Sequence, residues 1–237
     1  MQVLHRNRSV RKFVRSVKQR VNNAEQRGAV CIPETTVERN TSLPIKRAVH
    51  LQKMRSLLRR ADKAEAQKKY DEAEKLYIQA LTIFPDAFEA QAQLARLYLQ
   101  TNRESKAVAI YQQLIQEHDN VSYYSNLGLA HFRLGQFTEA CDFYNRALLK
   151  DPSSPDRCSA LGRAYIAADK IEKAIPLLKK AVERMPRDTE LLSDLASCYL
   201  HCGDSANARI IYSQINKLEP YNESVKQKLK ELRIKES

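Results

Sequence analysis

Any chemistry performed by this chain has to come from a small set of side chains. The densest is Cys198-Tyr-Leu-His201-Cys202, two thiols one helical turn apart with an imidazole beside them. Such a pattern suits a soft metal, but a closed zinc site takes about four ligands, and no second Cys or His pair follows it. The segment therefore reads as packed helix thiols. His131 stands where tyrosines stand elsewhere, and His5, His50 and His118 have no recurring nucleophile or carboxylate beside them. Asp71, Glu72 and Glu74 mark the start of a helix, where acids complement the positive end of the peptide dipoles. Lys170, Lys173, Lys179 and Lys180 alternate with Glu172 and Glu183 as a solvated face. Nothing pairs a nucleophile with a base or cradles a phosphate, so the expectation is a non-enzyme with no metal and no cofactor.

The elements that carry these residues follow from composition. The chain has 237 residues, 43% of them apolar, with five glycines and no tryptophan, and its mean hydropathy is -0.55. Abundant Ala, Leu, Gln, Glu, Lys and Arg favour helix over sheet. No stretch approaches the roughly 18 apolar residues of a membrane helix, and no apolar core of a secretion signal follows the basic start. Five scattered cysteines, Cys31, Cys141, Cys158, Cys198 and Cys202, read as reduced thiols rather than a disulfide framework.

Charge is divided unevenly. The formal net charge is +12, and residues 1–60 account for all of it, with 15 Lys or Arg against 3 Asp or Glu. Residues 61–237 carry 25 of each sign. A neutral body thus follows a basic arm.

The body repeats itself. Ala73, Ala107, Ala140, Ala174 and Ala208 recur at steps of 33 or 34 residues, each followed four residues later by Tyr77, Tyr111, Tyr144, Leu178 or Tyr212. Thirteen residues before each alanine stand Arg60, Leu94, Leu127, Leu161 and Leu195, followed by the small residues Ala61, Ala95, Gly128, Gly162 and Ala196. Pro85, Pro152, Pro186 and Pro220 close four of the units, and Asp119 replaces proline in the second. Small residues let two antiparallel helices approach closely. Lys68, Asn102, Gly135, Asp169 and Gly203 occupy the intervening turn, where Gly, Asn and Asp tolerate a left-handed backbone. Pro176 falls inside a second helix and predicts a kink or local loosening there.

These columns resemble the tetratricopeptide repeat over residues 54–222. The resemblance implies an all-α, right-handed α-solenoid of five helix-turn-helix repeats, at 54–87, 88–120, 121–154, 155–188 and 189–222. A capping helix is expected over 223–235, where Val225, Leu229 and Leu232 keep one helix face. The solenoid begins at residue 45, with Ile45 to Gln67 as one long helix. Residues 27–44, with Gly28, Pro33 and Pro44, read as a linker, and residues 1–26 as a basic amphipathic arm carrying Arg8, Arg11, Lys12, Arg15, Lys18 and Arg20.

The same resemblance implies that the first helices line a concave groove for a bound segment. Laid on this chain, the groove comprises Arg96, Leu99, Asn126, Leu129, Phe132, Arg133, Arg163 and Ile166. The Lys/Asn/Arg clamp of chaperone-binding relatives is not reproduced, since Leu58 and Asp62 occupy its first positions. The function expected is a protein-interaction scaffold whose partner, a protein or peptide, brings acidic residues beside apolar anchors. The arm then positions the scaffold, and an anionic membrane surface is one address for it. Phosphates of a nucleic acid are the alternative. The location expected is cytoplasmic, with the inner membrane face as an attachment site and a mitochondrial presequence as the minor reading of an arginine-rich, acid-free start.

Overall fold

Each helical pair closes on a residue in the left-handed region: Lys68 (φ 59°), Asn102 (φ 53°), Gly135 (φ 71°), Asp169 (φ 56°) and Gly203 (φ 77°). The next backbone N–H then reaches back to a carbonyl near the end of the first helix. Lys69 donates to Ala64 at 2.9 Å, Arg103 to Tyr98 at 2.8 Å, Gln136 to His131 at 2.9 Å, Lys170 to Tyr165 at 2.8 Å and Asp204 to Tyr199 at 2.8 Å. This is the bonding that satisfies the orphaned carbonyls of a helix end. Lys68 adopts it despite its side chain, so all five turns share one geometry.

A computed structural model describes residues 42–234. Among the described residues there are eleven helices and no strand: α1 Ser42–Ala66, α2 Tyr70–Ile83, α3 Phe88–Gln100, α4 Glu104–Glu117, α5 Val121–Arg133, α6 Phe137–Lys150, α7 Pro155–Ala167, α8 Ile171–Arg184, α9 Thr189–His201, α10 Ser205–Leu218 and α11 Glu223–Ile234. The chain divides into two compact units, Met1–Leu114 and Ile115–Ser237.

In unit one, α1 packs on α2 and α2 on α3. Ala73 and Ala107 are fully buried, as their small size at a helix crossing requires, with Tyr77 and Tyr111 beside them. Tyr111 donates its hydroxyl to the Ala92 carbonyl at 3.3 Å, tying α4 to α3. α1 starts at Ser42, three residues earlier than Ile45, and so takes in Pro44 from the expected linker. Proline is tolerated there because the first N–H groups of a helix have no intrahelical acceptor.

In unit two the pairs α5/α6, α7/α8 and α9/α10 stack, with α6 against α7 and α8 against α9. Ala140, Ala174 and Ala208 are again fully buried. Gly128 and Gly162 show why the small-residue column exists. A Cβ at Gly128 would stand 2.6 Å from the Tyr144 ring, and one at Gly162 would stand 2.7 Å from Leu178 Cδ2. Helix starts are capped locally: Asn120 Oδ1 accepts from Ser122 N at 2.8 Å, Asp188 Oδ1 from Leu191 N at 3.0 Å and Asp204 Oδ1 from Asn207 N at 3.1 Å. Asn120 thus begins α5 just after Asp119, the residue that stands in place of a closing proline. α11 buries Val225 and Leu232, half-buries Leu229 and packs on α10.

α8 runs unbroken through Pro176. Pro176 is exposed, so water can reach the Glu172 carbonyl it leaves without an intrahelical donor.

Prolines between repeats are held by their carbonyls. Lys180 Nζ donates to Pro152 O at 2.6 Å and Gln214 Nε2 to Pro186 O at 2.9 Å, each across 28 residues.

Candidate functional site

The expected groove residues fall in both units, and each unit positions its own share. In unit one, Leu99, one of the expected groove residues, is buried at 4% exposure. A leucine near the end of an amphipathic helix gains more from packing than from standing in water. Arg96 is exposed, but its Nη2 lies 3.1 Å from Glu65 Oε1 on α1. The acids on α1 are themselves organised, since Tyr77 Oη is 2.7 Å from Asp62 Oδ1 and 3.0 Å from Glu65 Oε2. Burial and this pair of carboxylates push the Tyr77 phenol well above its ordinary value.

A second network in unit one joins α2 to α3 and the turn that follows α3. Arg103 Nη1 meets Glu74 Oε2 at 2.6 Å, Tyr98 Oη donates to Glu74 Oε1 at 2.9 Å, and the Arg103 guanidinium stacks 4.7 Å over the Tyr98 ring. Burial opposes ionisation of Glu74, but hydrogen bonds from Arg103 and Tyr98, with the charges of Arg103 and Lys106, hold it below the ordinary carboxylate value.

In unit two the first helices α5, α7 and α9 carry the rest. Leu129, Phe132 and Ile166 are half-buried, as is Leu200 at the equivalent place on α9. Leu129 and Phe132 rest on the cluster of Ala140, Cys141, Tyr144, Leu161 and Ala164, while Ile166 and Leu200 rest on the neighbouring core. The Phe132 ring is fixed edge-on to Phe137, centroids 5.5 Å apart. Each of these apolar side chains is therefore packed against the core and still partly open to solvent. Asn126 is half-buried and Arg133 exposed on the same helix.

Arg163 is engaged within unit two. Its Nε lies 2.6 Å from Asp194 Oδ2 and its Nη2 lies 3.6 Å from Glu190 Oε2, both on α9. The Asp194 hydrogen bond outweighs partial burial and raises the Arg163 pKa further above its ordinary value. Sequence reasoning identified Arg163 and missed Asp194, because the pair is formed across 31 residues and neither side chain has a local signal for the other.

The remaining candidates resolve separately. The arm cations Arg8, Arg11, Lys12, Arg15, Lys18 and Arg20 lie outside the described residues. Cys198 is buried, and burial pushes its thiol up to about 11, whereas Cys202 is exposed. Among the described residues no group of three or more His, Cys, Asp or Glu is placed to hold a metal ion. His131 is buried, stacked on Phe143 at 5.1 Å, with Nδ1 2.7 Å from Gln136 Oε1. No described helix is long and apolar enough to cross a membrane.

Comparison with known proteins agrees with this architecture. BBSome complex member BBS4 of Bos taurus is 29% identical over 135 residues, which cover 56% of this chain and 25% of that protein. The chain thus spans about a quarter of that relative's length. Among solved structures, MamA from Desulfovibrio magneticus RS-1 superposes with a TM-score of 0.68 at 16% identity, covering 72% of this chain and 97% of that one. YrrB, described as a TPR protein with an unusual peptide-binding site, superposes with a TM-score of 0.64 at 14% identity over 72% of this chain and 89% of its own. Identities this low speak for the fold alone. A profile of the tetratricopeptide repeat matches residues 64–129 and 166–232, and a second profile of that repeat matches residues 121–154. With more than half of its length matched in this way, and with the turns, glycines and buried alanines that the repeat requires, the chain belongs to the tetratricopeptide repeat family.

Proposed function

We propose that the protein is a non-catalytic scaffold that holds a protein or peptide segment on the first-helix face of unit two. The observation that carries this reading is the series Leu129, Phe132, Ile166 and Leu200, apolar side chains packed on the core and left partly exposed. Shallow apolar sites of this kind favour a partner that brings its own aliphatic or aromatic anchors. Asn126 adds an amide that can bond a partner's backbone in both senses. Acidic residues of the partner compete with Asp194 for Arg163, so charge sets selectivity while the apolar anchors set affinity. A peptide-binding site in YrrB and membership of a complex for the bovine relative support a role in protein binding. The basic residues 1–26 position this scaffold at an anionic surface.

A peptide array that varies apolar and acidic content, followed by calorimetry on the full chain, tests the reading. Phe132→Ser together with Ile166→Ser should weaken the selected peptide at least tenfold with the helical signal retained. Equal affinity of variant and parent would sink it.

A further inference from the structure

The first helices of the later repeats bury Leu94, Leu127, Leu161 and Leu195 at one position. Three residues on, they bury Leu97, Ala130, Ala164 and Cys198. In α1 the same two positions hold Arg60 and Lys63, both exposed. They continue a line through Val49, Lys53 and Ser56, at steps of four and three residues that keep one face of a helix, and that whole line is exposed. α3 packs against α2, α7 against α6 and α9 against α8, whereas among the described residues no helix pair precedes α1.

An end of a repeat stack needs polarity, but it does not need one sign of charge. From Ser42 to Ala61 the chain carries six Lys or Arg and no acid. In unit two, α11 mixes signs and pairs them, with Lys226 to Glu223 at 2.7 Å and Lys228 to Glu231 at 3.1 Å. Lys53, Arg60 and Lys63 have no ion-pair partner among the described residues. The nearest acids along α1, Asp62 and Glu65, are taken by Tyr77 and Arg96.

We infer that this face of α1 docks on an anionic lipid surface, with Lys53, Arg60 and Lys63 among the phospholipid headgroups. The inference stands apart from the role given to residues 1–26, because it rests on described side chains of the repeat stack. Lys53 and Lys63 are about 15 Å apart along a straight helix and about 80° apart around it, so the three cations share one side of α1 and their attractions add. Val49, 55% exposed on the same line, suits the apolar boundary beneath headgroups. α1 has no Phe, Tyr or Trp on which a nucleic-acid base could stack, which favours lipid over a single strand.

Flotation of the full chain with phosphatidylcholine vesicles containing 30% phosphatidylserine tests the inference. Binding to these vesicles, and not to pure phosphatidylcholine, is expected. Combined Lys53→Gln, Arg60→Gln and Lys63→Gln should weaken it by about tenfold or more, while Lys53→Arg, Arg60→Lys and Lys63→Arg together should preserve it. The same loss should appear when Arg8, Arg11, Lys12, Arg15, Lys18 and Arg20 have all been changed to Gln, which separates α1 from the upstream segment. An unchanged affinity in the Gln triple overturns the inference and leaves the tether of residues 1–26 standing. Loss in the charge-preserving triple, absence of vesicle binding by the full chain, or tighter binding to duplex DNA at the same salt overturns it as well.

Discussion

Arg163 and Asp194 occupy successive first helices 31 residues apart, joined Nε to Oδ2 at 2.6 Å. Their side chains are 41% and 32% exposed, so solvent screens much of the attraction. A double-mutant cycle with alanine at both sites should therefore return a coupling of about 0.5–1 kcal/mol by urea unfolding. Zero coupling would mean that the contact does not organise α7 against α9. Asp194→Asn should also release the guanidinium and strengthen an acidic peptide by roughly fivefold, a change readable by calorimetry.

The two buried glycines should respond unequally. At Gly128 an added methyl meets the rigid Tyr144 ring, whereas at Gly162 it meets the methyl end of Leu178. Overpacking costs about 1–3 kcal/mol, and the helix propensity of alanine offsets about 1 kcal/mol of that. Gly128→Ala should lower stability clearly and Gly162→Ala less. The reverse ranking in urea titrations would count against the close approach at Tyr144.

At Lys68 the backbone φ is 59°, where a side chain is strained. Lys68→Gly should stabilise by roughly 1 kcal/mol, with Lys68→Ala near zero as the control. Gly203→Ala should destabilise by a similar amount, because φ is 77° and no neighbour lies within 4 Å of the new Cβ. A shift in thermal midpoint reads each effect.

Stability should depend on pH through Glu74. Its pKa is held below the ordinary 4.5, so the folded state favours the carboxylate. That contribution is complete above the unfolded-state value and is lost as pH falls through the lower folded value. Between about pH 5 and 3, Glu74→Gln should flatten the acid limb of the stability curve, measured by urea midpoints across that range. A parallel curve for the variant would exclude the Arg103–Glu74–Tyr98 network as its source.

Helix pairing was legible in the sequence because it depends on columns. Ala73, Ala107, Ala140, Ala174 and Ala208 advertise close approach by size alone, and all are fully buried. Turn residues did so by backbone tolerance, with Lys68 joining the four expected. What escaped was any property requiring two repeats to be superposed. Glu65 gave no hint of Arg96, nor Asp194 of Arg163, since long polar side chains choose partners by distance. Leu99 shares its column with Phe132, Ile166 and Leu200, yet it is buried where they are half-open. A column fixes the direction of a side chain and leaves the depth of its surroundings to the neighbouring repeat.

The joints of unit two are unequal in a mechanical sense. Gly128 against Tyr144 and Gly162 against Leu178 are hard stops with no slack. The loop side is latched by long tethers, Lys180 to Pro152 and Gln214 to Pro186. Under load each pair resists compression at its glycine, whereas the inter-repeat loops yield by unlatching their prolines, so the give of unit two should lie between its repeats rather than within them.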